Sequence, residues 1–135
     1  MTFRPEFIKG VREAAALNEL EIEEEESTGR CYVFVDGYNP IVITDLSDNL
    51  ASAQIVLEDL NEVPDFEPGT AFDIIKKLSS GMGYFSVGLV EDRYLTYSFP
   101  VHDYGRFVDA LMECCLADDC YDRLLGKEVP ESRLE

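Results

Sequence analysis

An alternation of apolar and polar residues over positions 83–101 predicts a β-hairpin, the clearest two-residue period in the chain. One register places both apolar sets on a single face, by pairing Leu89 with Leu95, Val87 with Tyr97 and Phe85 with Phe99. This register leaves residues 91–93 as a three-residue loop. Because a lone hairpin is marginal in water, its apolar face needs further strands beside it or helices over it.

The other face of this hairpin carries tyrosine and hydroxyl side chains. Such side chains on a half-polar sheet face are a favoured interface composition, although a helix covering the face would explain them equally well. The candidate partner-binding residues are therefore Tyr84, Tyr94, Thr96 and Ser98.

Helical spacing of apolar residues predicts three helices. The first covers residues 5–20, with an apolar stripe of Phe7, Ile8, Val11, Ala14, Ala15 and Leu17. A short second helix follows Thr70, which is a suitable N-cap, and ends at Leu78. The third begins near His102 or Asp103 and runs to Gly126.

Residues rich in β-branched and aromatic side chains predict strands at 30–35 and 41–44. Residues 50–60 fit either a helix or a strand, and we favour the strand because it completes a meander. The acidic run 20–26 fits a frayed helix end or a charged edge strand, with the strand weakly favoured. We predict an α+β fold with an antiparallel sheet of about five strands, helices packed on it, and the order α-β-β-β-α-β-β-α. Residues 1–126 are predicted to form one domain and 127–135 a polar, mobile tail.

The formal charge of −17 limits the classes of partner. A body this negative is repelled by phosphate backbones and anionic lipid, so we expect neither nucleic-acid nor membrane binding. A basic partner remains possible, and so does a role for the charge in solubility alone. With no signal-peptide pattern and no apolar run near 18 residues, we expect a cytoplasmic protein with reduced cysteines.

The sequence offers no recognisable reaction centre. His102 is the only histidine, and its place just before a helix is explained by capping or exposure. Cys114, Cys115 and Cys120 lack the usual ligand spacing of a zinc site, and helical geometry turns the first two towards the apolar face, which favours core packing. We therefore predict no catalytic, cofactor-binding or metal-binding residue.

The apolar pattern resembles that of a known fold family. The segments that carry the resemblance are Tyr-Val-Phe-Val-Asp-Gly at 32–37 followed by Pro-Ile-Val-Ile at 40–43, the helix 71–78 leading into Tyr-Phe-Ser-Val-Gly-Leu at 84–89, and Tyr-Leu-Thr-Tyr-Ser-Phe-Pro-Val at 94–101. This order resembles the YbjN-like proteins and the class I type III secretion chaperones of the Tir chaperone group, over about residues 4–126. The cysteine-rich last helix and the acidic segment near Glu23 are not assigned to that family.

The resemblance implies a bacterial homodimer that binds a protein client and performs no catalysis. The low pI and the apolar and tyrosine-bearing surfaces agree with a dimeric chaperone or adaptor that holds a partner by strand addition or in a groove. The alternative is a small-molecule or metal-responsive regulator that uses the cysteines of the last helix.

Overall fold

A six-stranded antiparallel sheet is the main feature of the computed structural model, which describes residues 3–59, 86–90 and 94–124. Within these residues two helices, α1 (Pro5–Leu17) and α2 (Phe107–Leu124), pack on one face of the sheet. The strands are β1 (Glu21–Glu25), β2 (Arg30–Phe34), β3 (Ile41–Ser47), β4 (Leu50–Asp59), β5 (Ser86–Val90) and β6 (Tyr94–Val101). Their order across the sheet is β1-β2-β3-β4-β6-β5. The predicted α+β fold is confirmed.

The two-residue period of the strands decides which face is buried. Val33 pairs with Ile41, Ile41 with Ile55, and Ile55 with Tyr97, so these four side chains cross the sheet on the same face. All four are buried in one hydrophobic core with residues of α1 and α2. The neighbouring row on the opposite face is Tyr32, Val42, Gln54 and Ser98, and these side chains are only half-buried.

Both segments that the sequence left ambiguous are strands. Residues 50–59 form β4, which pairs with β3 and with β6 in the middle of the sheet. The acidic run forms β1, which lies at one edge and adds a sixth strand to the five that we predicted. Exposed glutamates on an edge strand discourage pairing with another sheet.

The predicted hairpin register is confirmed where the structure describes it. Leu89 pairs with Leu95 and Val87 with Tyr97, and Val90 with Tyr94 is the last described pair of this hairpin. The predicted loop at 91–93 lies outside the described residues. Phe99 is only half-buried and packs against the border of the core. Phe85, Tyr84, the predicted helix at 70–78 and the tail 127–135 lie outside the described residues.

The boundaries of both helices differ from those predicted. α1 ends at Leu17, and this side chain is 79% exposed although we placed it in the apolar stripe. The reason is that the chain turns back after the helix and brings Leu20 against the core instead. α2 begins at Phe107 because residues 104–106 form a separate 3-10 turn, with the Asp103 side chain accepting a hydrogen bond from the Gly105 N–H.

An aromatic cluster joins the first turns of the two helices. The ring of Phe7 meets Tyr104 and Phe107 edge to face, with centroids 5.8 and 5.6 Å apart, and stacks on Phe3 at 5.5 Å. Gly10 lies directly against this cluster, since a Cβ there would be 2.5 Å from the Tyr104 carbonyl oxygen and 2.9 Å from the Phe107 ring. The absence of a side chain at Gly10 therefore sets how closely α1 approaches α2.

Tyr104 is also tied to the turn between β3 and β4. Its hydroxyl lies 2.6 Å from the Ser47 carbonyl oxygen, to which it donates, and 3.1 Å from the Asp45 carboxylate. Its backbone N–H donates to the Asn49 side chain at 3.1 Å. Burial and the bond to Asp45 raise the pKa of Tyr104, which keeps its hydroxyl a donor. Arg4 completes the connection through an ion pair with Asp45 at 3.0 Å.

Substitution of Gly10 by Ala tests this close approach. Alanine in a helix interior normally gains about 1 kcal/mol over glycine. Here overpacking against the Tyr104 backbone costs about 1–3 kcal/mol, so we expect Gly10→Ala to lower the free energy of unfolding in urea. Glu13→Ala, at an exposed position of the same helix, is the control and should change it by less than about 0.5 kcal/mol. A Gly10→Ala protein more stable than the wild type would contradict the packing described here.

A bidentate ion pair joins α1 to the edge strand. The Arg12 guanidinium donates to both carboxylate oxygens of Glu24, at 2.8 and 2.7 Å. These hydrogen bonds lower the pKa of Glu24 from its usual value of 4.5. Since the folded-state pKa lies below the unfolded one, the stabilisation is present above pH 4.5 and is lost as the pH falls through the folded-state value.

We therefore expect Glu24→Gln to lower the unfolding temperature at pH 7, with a difference from the wild type that shrinks to nothing below the folded-state pKa. Thermal melts between pH 7 and pH 3 measure this difference. Glu23→Gln removes one charge from an exposed position of the same strand and should not destabilise at pH 7. A Glu24→Gln deficit that is independent of pH would show that the ion pair is not its cause.

Candidate functional site

A surface groove lies between the end of α1 and the outer side of α2. Its volume is about 570 Å³. Its walls come from the turn after α1, the turn between β2 and β3, and α2, and its lining residues are Asn18, Leu20, Val35, Asp36, Tyr38, Val108, Leu111, Met112, Cys115, Leu116 and Asp119. We call this the α2 groove. It opens at the end of the sheet opposite to the turn at residues 48–49, because Val33 pairs with Ile41 at one end and Ser47 with Leu50 at the other.

The end of α1 builds the first wall through a left-handed residue. Glu19 has φ of +55°, which lets the N–H of Leu20 donate to the Ala15 carbonyl at 2.9 Å and the Glu19 N–H to the Ala16 carbonyl at 3.3 Å. These two bonds form a Schellman motif, in which glycine is the usual left-handed residue. The motif reverses the chain and places Leu20 in the groove.

The turn between β2 and β3 builds the second wall and is bonded to α2. The Tyr38 N–H donates to the Val35 carbonyl at 3.1 Å, and Gly37 adopts a φ of +85° that glycine favours. The Tyr38 hydroxyl lies 3.0 and 3.1 Å from the two carboxylate oxygens of Asp119, 81 residues along the chain. This contact fixes the turn against the C-terminal half of α2.

α2 has apolar side chains on two sides. Its inner side contributes six buried residues to the core, namely Phe107, Ala110, Leu111, Cys114, Ala117 and Tyr121. Its outer side carries Met112 and Leu116, which are 59% and 52% exposed. These two lie four residues apart and therefore one above the other on the same side of the helix. Together with half-buried Val108 and Cys115 they give the groove an apolar wall.

The charges around the groove are negative. Among its described lining residues, Asp36 and Asp119 are acidic, and none is Lys, Arg or His. α2 as a whole contains five carboxylates and one arginine. The groove thus combines an apolar wall with an acidic border, and a polypeptide with apolar and basic side chains matches both features.

A second, smaller hollow surrounds His102 at the opposite end of the molecule. It measures about 320 Å³, and Phe99, Pro100, Val101, His102, Asp103, Arg106 and Asp109 line it. His102 is exposed, and the neighbouring Asp103 side chain already accepts a hydrogen bond from the Gly105 N–H at 2.8 Å. His102 precedes α2 by five residues, with the 3-10 turn at 104–106 between them.

The cysteines occupy different environments, and all four carry thiols. Cys114 is fully buried in the core, in agreement with the packing that we predicted for it, and burial raises the pKa of its thiol. Burial likewise raises the pKa of Cys31 to about 11. Cys115 is half-buried and lines the groove, and Cys120 is half-buried. Within the described ranges no group of three His, Cys, Asp or Glu side chains could hold a metal ion.

The predicted partner-binding residues do not line the α2 groove. Tyr84 lies outside the described residues. Thr96 pairs with Val56 in the middle of the sheet, is 5% exposed, and donates through its hydroxyl to the Tyr94 carbonyl at 3.2 Å. Ser98 accepts a hydrogen bond from the Gln54 amide at 3.1 Å, and Tyr94 is half-buried at the start of β6.

Sequence reasoning missed the exposed pair Met112 and Leu116. A signal for them exists, because both fall off the inner stripe of α2 and are four residues apart. The sequence alone does not say that α1 ends too early to cover them.

Comparison with protein-family models gives no match, and comparison with curated proteins finds no relative of the chain. Of the helices that the structure describes, none combines the length and the apolar character needed to span a membrane.

Proposed function

We propose that this protein is a non-enzymatic chaperone or adaptor that holds a partner polypeptide. The exposed apolar wall of the α2 groove, centred on Met112 and Leu116, is the observation that carries the proposal. Contiguous apolar surface that stays exposed on a folded domain is typical of a binding site. The apolar pattern that resembles the secretion chaperones and the YbjN-like proteins supports the same function and a bacterial, cytoplasmic setting.

Capture from lysate with paired baits tests client binding. We expect immobilised wild-type protein to retain a partner that the double variant Met112→Gln/Leu116→Gln loses, because glutamine keeps length and helix propensity but removes the apolar surface. Leu46→Gln is the matched control, since Leu46 is similarly exposed, at 53%, and does not line the groove. It should retain the same partner.

The control for folding is the free energy of unfolding in urea, which should change by no more than about 0.5 kcal/mol per exposed position. Partners that both variants retain equally, or lose equally, would contradict a binding role for the groove.

A homodimer is part of the proposal, and the β5 edge is the surface that fits a second copy. Within the described part of the chain β5 pairs with β6 alone, and its residues Ser86–Val90 carry no charge. The opposite edge, β1, contains four glutamates in five residues. Since charged edges discourage strand pairing and uncharged edges permit it, pairing between two copies is expected at β5.

Light scattering after size exclusion tests the dimer. We expect a mass of twice 15.3 kDa for the wild type and a shift towards the monomer for Ser86→Lys, which places a charge on the β5 edge. Ser27→Lys, exposed beside the β1 edge, is the control and should remain dimeric. A wild-type monomer at the concentrations used for capture would remove the dimer from the proposal and leave client binding to be judged by the baits.

A further inference from the structure

We infer that the occupant of the α2 groove is a basic amphipathic helix of a partner protein. The inference rests on the proposed function and deepens it, because it names the chemistry and the conformation of the segment that is held. Three observations carry it: the length of the groove, the spacing of its apolar side chains, and the sign of its charges.

The length of the groove suits a helix. Its lining residues on α2 extend from Val108 to Asp119, a rise of roughly 16 Å along the helix axis. Three turns of a partner helix have the same length. The side chains of Val108, Met112 and Leu116 stand at i, i+4 and i+8, and rows at this spacing form the ridges between which the side chains of a neighbouring helix pack.

α1 leaves space for that helix. Gly10 holds α1 close to the start of α2, where a Cβ would be 2.9 Å from the Phe107 ring. At the other end α1 stops at Leu17, and the groove separates the following turn from Cys115. α1 and α2 thus meet at one end and, among the described residues, leave an apolar wall uncovered at the other.

The charges distinguish a basic partner from a second copy. Asp36 and Asp119 border the groove, and the described lining residues include no cation. A second copy docked there would bring another acidic border and another protein of charge −17 against it. A helix with lysine or arginine beside its apolar stripe pairs with the acidic border, and the apolar stripe covers Met112 and Leu116.

A designed peptide provides the probe. It is a helix-forming peptide of about 15 residues, or four turns, with leucines at i, i+4 and i+7, lysines on the flanks and one tryptophan. Because the protein has no tryptophan, the fluorescence of the peptide reports binding without a label. Two control peptides carry glutamate in place of every lysine, or serine in place of every leucine.

We expect the basic amphipathic peptide to bind the wild type, and both control peptides to bind at least about tenfold more weakly. Met112→Gln/Leu116→Gln should weaken binding by a similar factor, while Leu46→Gln should not. Asp36→Asn/Asp119→Asn should weaken it several-fold and reduce its salt dependence. Asp48→Asn, exposed at the opposite end of the sheet, is the charge control and should leave the affinity for the peptide and its salt dependence unchanged.

The salt dependence of binding further distinguishes a basic helix from a second copy of the chain as the occupant of the groove. Added salt screens charges, with a Debye length of about 10 Å at 0.1 M and about 3 Å at 1 M. Binding of the basic peptide should weaken as salt rises, whereas self-association through an acidic groove should strengthen.

The inference is overturned if the serine peptide binds as well as the leucine peptide, since binding would then be general attraction to an acidic surface. It is also overturned if the glutamate peptide binds equally well, or if the groove variant binds like the wild type. Captured partners that depend on Met112 and Leu116, combined with no binding of the basic peptide, would leave the proposed function standing and reject the basic helix. If neither captured partners nor the basic peptide depend on Met112 and Leu116, the proposed function and the basic helix are both rejected.

Discussion

The contact between Gly10 and the Tyr104 to Phe107 segment is the constraint on which the arrangement of the helices depends. A glycine in the middle of α1 lets the two helices touch, and Tyr104 attaches that point of contact to the turn between β3 and β4 through Ser47 and Asp45. The start of α2 is thereby fixed to the sheet. The position of the α2 groove, at the other end of the two helices, depends on where they diverge and on where α1 stops.

The groove is a consequence of this arrangement. A helix that carried only an inner stripe would be complete once it packed on the sheet, but α2 also has Met112 and Leu116 on its outer side. The bond between Tyr38 and Asp119 holds the β2 to β3 turn against α2 and closes the groove at one end. Apolar surface is thus kept in a fixed concave shape, and such a surface loses less of its own conformational entropy on binding than a mobile surface does.

The two edge strands of the described sheet, β1 and β5, differ in charge. β1 carries its glutamates where a foreign strand would pair, and Arg12 holds one of them, Glu24, against α1. β5 carries no charge in the sequence of its five residues. In an acidic protein an uncharged edge is the one that permits strand pairing between copies, which is why the proposed dimer uses β5.

The class of fold and much of the strand pairing follow from local sequence pattern, because strand alternation has a period of two and a shift of one residue would turn every apolar side chain towards water. Such local periods predict the pairs Leu89 with Leu95 and Val87 with Tyr97. They also predict the helix that contains Val11 and Ala14, and the burial of Cys114. Local periods also left residues 50–59 ambiguous, since Ala53 and Leu57 fit both a helix and a strand, and pairing on both sides decided for the strand. Three features could not be read from local pattern: Leu17 is exposed, Thr96 is buried, and Met112 and Leu116 border a groove. The physical reason is that exposure depends on which distant segment covers a side chain, and the contacts that set this, such as Tyr38 with Asp119 and Gly10 with Phe107, join residues far apart in the chain.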